Sequence, residues 1–193
     1  MKFPTKRVLP GAAAMVAIAV LAAPAGALGS TATTSATLTA GALAFSTGPS
    51  AGNFPSTALT GAAQTIHASF PTWGVNDATG SGAGWHVTFQ ASQFSTGGAT
   101  PVTLPASSLV LTAPAVAPAT GNIALLPVLQ AAPYTLDGGA AVPIVHALAL
   151  TGQGGWTMTQ ANLLGGDLAL SLATTAAAGT YTSTLTFTLA TGP

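Results

Sequence analysis

Cysteine is absent from the 193-residue chain, so no disulfide can brace it and its stability must come from a packed core. Charge is nearly absent as well, at 3% of residues. There is no glutamate; the three carboxylates are Asp77, Asp137 and Asp167. The three basic residues, Lys2, Lys6 and Arg7, all fall in the first seven positions. Beyond residue 7 the chain offers no cation to a phosphate, which excludes nucleic acid as a partner. It also excludes side-chain salt bridges there, so solubility must rest on Thr, Ser, Asn and Gln. Long apolar runs are missing too. The run from Gly11 to Ala23 falls short of the ~20 residues that a membrane span needs, and no later segment is longer.

What is present begins with an export pattern. A basic start, the apolar run and the small residues Pro24-Ala25-Gly26-Ala27-Leu28-Gly29 follow the order of a secretory signal peptide. Cleavage is expected near Ala27, with Ala27-Leu28-Gly29 as a second candidate. The expected organisation is a signal peptide over 1–27 and one domain over 28–193, long enough for a real core. The mature part then carries three aspartates and no basic side chain, a side-chain charge of −3. After cleavage no membrane contact is expected. With no recognisable sorting tail, attachment to a cell is expected to be non-covalent.

Short alternating segments bounded by Gly or Pro recur along the rest. Thr37 to Gly41, Gln64-Thr65-Ile66-His67-Ala68-Ser69-Phe70, Leu109 to Leu111, Ile144 to Leu150 and Leu168 to Leu172 each read as strands. Gly152-Gln153-Gly154-Gly155 feeds a strand with Trp156 and Met158 on one face. Ala113 to Gly121 is rich in Pro and Ala and reads as an exposed loop or linker. Ile123 to Leu129 contains Pro127, which suggests an edge strand or an irregular segment. Helix is conceivable only over Ala161 to Leu164 and Ala176 to Ala178, both too short to persist alone. The expected fold is all-β, an antiparallel β-sandwich, with Greek-key and barrel-like variants both open.

Two stretches stand out. In Asn76-Asp77-Ala78-Thr79-Gly80-Ser81-Gly82-Ala83-Gly84-Trp85-His86-Val87-Thr88-Phe89, a glycine-rich turn runs into a strand with Trp85, Val87 and Phe89 on one face. In Tyr181 to Pro193, Tyr181, Ser183, Leu185, Phe187 and Leu189 share one face. This final strand, Tyr181 to Leu189, is expected to be internal, with its Tyr/Leu/Phe/Leu face buried in the same core as Trp85, Val87 and Phe89. Together the two stretches resemble the WxL domain of Gram-positive surface proteins. That family has a Trp-x-Leu after a glycine-rich turn and a distal Tyr-x-x-x-Leu-Thr-Trp-x-Leu-x-x-x-Pro. Here Trp85-His86-Val87 replaces the Leu by Val. Tyr181, Leu185, Thr186, Leu189 and Pro193 keep the distal register, while Phe187 replaces the Trp. The resemblance implies non-covalent attachment to the bacterial cell wall at the cell surface, with peptidoglycan as the partner. The candidate motif residues are Asp77, Trp85, Val87, Tyr181, Leu185, Phe187 and Leu189. They read either as core, which their periodicity favours, or as an aromatic platform stacking on sugars.

Catalytic and metal chemistry find little support. The three aspartates are scattered beside or near glycines, and Asx-turns are their expected use. His67, His86 and His146 lack metal-ligand spacing, and calcium would need denser oxygen ligands. There is no Gly-x-Ser-x-Gly elbow, and Gly80 to Gly84 lacks the Lys of a P-loop. No enzyme, cofactor or metal is expected. Two readings of function remain: wall binding, or a structural surface protein that self-associates or binds other surface proteins through uncharged strand edges.

Overall fold

The structure, a computed structural model, describes residues 32–50, 52–160 and 167–193. The chain divides into two units, Met1–Thr37 and Leu38–Pro193. Residues 32–37, the described part of the first, have no regular structure. The expected signal peptide and the expected helix at Ala161 to Leu164 lie outside the described residues.

Among the described residues the second unit contains twelve strands. They are β1 (Leu43–Thr47), β2 (Gln64–Ala68), β3 (Trp73–Asp77), β4 (Trp85–Ala91), β5 (Leu109–Leu111) and β6 (Pro114–Pro118). There follow β7 (Val128–Leu129), β8 (Tyr134–Thr135), β9 (Val142–Ala147), β10 (Gly154–Gln160), β11 (Leu168–Leu172) and β12 (Leu185–Thr191). They form three antiparallel sheets in the orders β1-β3-β10-β6, β2-β11-β5-β8 and β12-β4-β9-β7. The sheets pack on one core, and the fold is the all-β, sandwich-type architecture expected.

The alternation in β4 explains its place. Trp85, Val87, Phe89 and Ala91 are buried while His86, Thr88 and Gln90 are half-buried, so one face packs the core and the other is partly solvated. Leu168 and Leu170 do the same in β11. Pro143 sits inside β9, an interior strand, where its missing N–H would break a ladder. The register shifts between Val87 and Thr88, opposite Val145 and Pro143, and this bulge accommodates it. An aromatic chain then ties the sheets together. Phe89 lies 5.2 Å from Trp73 and 5.7 Å from Phe70 between ring centroids. Phe187 meets Phe89 edge to face at 4.7 Å, a geometry that adds about 0.5–1.5 kcal/mol beyond burial.

Several expectations are corrected. The final strand was expected to be internal over Tyr181 to Leu189; it is Leu185–Thr191 and lies at a sheet edge beside β4. Its Leu185, Phe187 and Leu189 are half-buried, because only one neighbouring strand and one sheet face cover them. Residues 37–41 are not a strand; β1 starts at Leu43. The Pro/Ala segment 113–121 contains a strand, β6, paired with β10. Its prolines end an edge strand, where missing N–H groups cost no ladder bond on the open side. Residues 176–178 are not helical: a turn at residues 174–175 leads into them, closed by Ala176 N–H donating to the Ala173 carbonyl.

Candidate functional site

The strand registers give the domain two ends. At one, the β3–β4, β6–β7 and β9–β10 loops meet the C-terminal residues. Asp77 pairs with Gly154, Trp85 pairs with Ala147 and Thr191, and Trp156 pairs with Pro118. At the other, β12 begins at Leu185 opposite Ala91, where β4 ends.

The proximal motif builds the first end. Asp77 is buried and its Oδ1 accepts from the Thr79 N–H at 3.1 Å and the Thr79 hydroxyl at 2.6 Å. The Thr79 oxygen accepts from Ser81 N–H, and the Ser81 oxygen accepts from Ala83 N–H. Short side-chain turns thus carry the chain from β3 to β4. Gly84 takes φ of 78°, and a Cβ there would strike the Ala147 carbonyl oxygen. Trp85 is wholly buried, and its indole N–H donates to the Gly152 carbonyl at 2.9 Å. The indole of Trp156 donates to the same oxygen at 2.7 Å. Two indoles thus use both lone pairs of one carbonyl. Gly152 N–H in turn donates to the Leu125 carbonyl, Leu150 N–H to the Gly82 carbonyl and Gly192 N–H to the Gly84 carbonyl. Asn122 adds bonds to the carbonyls of Gln153 and Gly155.

The seven expected site residues therefore do not form one surface. Asp77, Trp85 and Val87 are buried, which removes them from any platform that stacks on sugar. Phe187 and Leu189 pair across the sheet with Phe89 and Val87 and half-bury against them. Tyr181 and Leu185 alone reach a cavity, at the second end.

That cavity has a volume of about 820 Å³, within the ~300–1,000 Å³ range of small-ligand sites. Ile66, Leu170, Leu172 and Leu185 supply apolar floor, Phe54 supplies a wall, and Thr57, Thr180, Thr182 and Ser183 also line it. Tyr181 is half-buried at its border, and its hydroxyl donates to the Ala177 carbonyl at 3.0 Å, so the ring is held in place. Ser183 and Ser92 tie the adjoining strand start: the Ser92 oxygen accepts from Thr184 N–H at 2.9 Å. Sequence reasoning missed Gly152, Asn122 and Phe54. The glycine cluster before Trp156 signalled a turn, but no spacing reveals that a carbonyl will accept two indoles.

The electrostatics are simple. Among the described residues there is no Lys, Arg or Glu, and all three aspartates are buried. Asp137 accepts from Ser108 N–H at 3.0 Å, the Ser108 hydroxyl at 2.8 Å and Leu109 N–H at 3.0 Å. Asp167 accepts from Phe70 N–H at 3.3 Å. The Asx-turn expectation thus holds at Asp77, while Asp137 and Asp167 latch segments distant in sequence. His86 and His146 pair across β4 and β9, but no group of three metal-ligating side chains occurs among the described residues.

A family model described as WxL domain surface cell wall-binding matches residues 29–193. No curated protein and no solved structure matches the chain.

Proposed function

The chain belongs to the WxL domain family, a cell-surface, wall-binding family, and on that premise we propose that it is exported and holds peptidoglycan by gripping uncharged glycan in the 820 Å³ cavity. The observation that carries this reading is the character of that cavity. Among the described residues its lining holds no charged side chain, its floor is aliphatic, and its border carries threonines, a serine and a tyrosine ring held by its hydroxyl. Sugar rings present apolar faces with hydroxyls at their edges. They suit an aromatic side chain flanked by hydrogen-bonding groups.

Export rests on the basic, apolar and small-residue order of residues 1–27. Mass spectrometry of the wall-bound protein tests it, and an intact Met1 terminus would refute it. The same reading makes the domain a binder and not a hydrolase. Glycoside hydrolysis needs two carboxylates flanking the bond, and here each aspartate is buried and already accepting hydrogen bonds.

Retention on purified peptidoglycan tests the binding. Neutral hydrogen bonds and stacking are not screened by ions, whereas exposed charge pairs fade beyond ~10 Å at 0.1 M salt. Retention should stay flat or rise slightly from low to moderate salt and should survive stripping of anionic polymers from the wall. Steep release by salt, or no retention under any condition, overturns the proposal.

A further inference from the structure

Exposed aliphatic side chains gather at the end opposite the cavity. Ile123 is 99% exposed, Leu150 74%, Leu125 70%, Leu126 56%, Leu148 49% and Val128 47%. They lie on two neighbouring segments. Gly152 N–H donates to the Leu125 carbonyl, and Val128 pairs with His146, which sets Leu126 opposite Leu148 in the continued register. The two indole bonds to Gly152 and the Asn122 bonds to Gln153 and Gly155 hold these segments from beneath. The six residues expose on the order of 600 Å² together, the upper end for a monomer's largest apolar patch.

We propose that this end is an interface between two copies of this chain, apolar face to apolar face about a twofold axis. A twofold presents the same patch to itself. Two such patches bury on the order of 1,200 Å², the lower bound of a stable standard interface, and rim contacts add to it. Charge favours a copy over other occupants. Among the described residues no charged side chain is exposed to repel a like surface, the three aspartates being buried, whereas a charged partner would lose hydration against a face that offers no counter-ion. The patch also continues onto β7, the edge strand of its sheet, where no Lys blocks pairing with a second edge. A lipid surface would accept the aliphatic tips but not that edge. This inference does not depend on what the cavity binds.

Sedimentation equilibrium on the protein recovered from the cell surface tests it. A monomer–dimer equilibrium is expected. Ile123→Gln combined with Leu125→Gln should weaken it about a hundredfold or more, because two buried aliphatic anchors are lost. An unchanged thermal midpoint would show that the variant still folds. Leu59→Gln, on the loop lining the cavity, should leave the dimer intact. A monomer at every concentration, or a dimer indifferent to the paired substitution, overturns the proposal. So does a monomer that floats with neutral phosphatidylcholine vesicles through Ile123 and Leu125; that result would assign the face to lipid.

Discussion

The two ends of the domain are built by opposite means. The end at Trp85 is closed: glycines let backbones approach, two indoles fill the interior and converge on one carbonyl, and loops bond to one another. The end at Leu185 is hollow: the floor of the core continues outward as the wall of a cavity. The difference separates what the family's motif residues do. Trp85 and Val87 secure the closed end and touch nothing outside the protein. Tyr181 and Leu185, from the same face of the distal motif, border the opening. A motif that defines a binding family need not be its binding surface, and here the proximal half is scaffold.

The largest test of this division is Trp85→Ala. Removing a wholly buried indole should destabilise the domain by about 3–5 kcal/mol, a large part of the ~5–15 kcal/mol a domain has. Trp85→Phe should cost less, about 1–2 kcal/mol, because Trp156 still donates to Gly152 and only one bond and part of the ring are lost. Denaturant unfolding measures both. A Trp85→Phe variant that keeps its stability but no longer binds wall would break the comparison and return Trp85 to the binding surface.

Gly152→Ala probes the same end through the backbone. Gly152 has φ of 68°, and an added Cβ would collide with the Ala147 Cβ and approach Trp85 Nε1 to 3.0 Å. Left-handed backbone costs a non-glycine residue about 1–2 kcal/mol, and overpacking adds about 1–3 kcal/mol. A loss of about 2–4 kcal/mol is expected by the same unfolding assay. Wall retention of the fraction still folded should be unchanged, because the cavity lies at the other end.

Tyr181→Ala reverses that pattern. Tyr181 is half-buried, and its single hydrogen bond goes to a local carbonyl. Stability should fall by only about 1 kcal/mol, while retention on peptidoglycan should drop strongly. Equal losses in stability and retention would show that Tyr181 is scaffold like Trp85, and the contrast between the ends would fail.

Much of this was legible in the sequence, and what was not has a common physical cause. Period-2 alternation revealed which residues of β4, β10 and β11 share a face, and Trp85, Val87, Phe89, Trp156 and Met158 are all buried as that pattern implies. Alternation does not say which strand lies beside which. Hence β12 could be expected as internal although it has a neighbour on one side only, and the two-residue strand β8 gave no pattern to see. Proline content misled at residues 114–118, because an edge strand tolerates what an interior strand does not. The cavity was illegible for the same reason as the strand order. Phe54, Ile66, Leu172 and Tyr181 come from four separate segments, and only tertiary packing brings them together.

The two tyrosines, Tyr134 and Tyr181, allow the smallest and cleanest test. Tyr134 is buried, and its hydroxyl donates to the Gln130 carbonyl at 2.8 Å. Burial disfavours its charged form and pushes its pKa above the ordinary value of 10.0. Because the chain has only two tyrosines, Tyr181→Phe leaves Tyr134 as the sole phenol. Absorbance titration of that variant should show one ionisation, later than pH 10. The linked stability has a definite sign. Above pH ~10 the unfolded chain releases the phenolic proton while the folded one retains it, so the native state binds more protons and stability falls as pH rises. The contribution is fully present below pH ~10 and is lost as pH climbs through the folded pKa, with a slope of at most ~1.4 kcal/mol per pH unit. Replacing Tyr134 by Phe should remove this alkaline limb at the expense of the Gln130 bond, about 1 kcal/mol. If the sole phenol ionised at its ordinary pH, the wall of the core at Tyr134 would be as open to water as the cavity, and the hollow would extend well beyond the end of the domain.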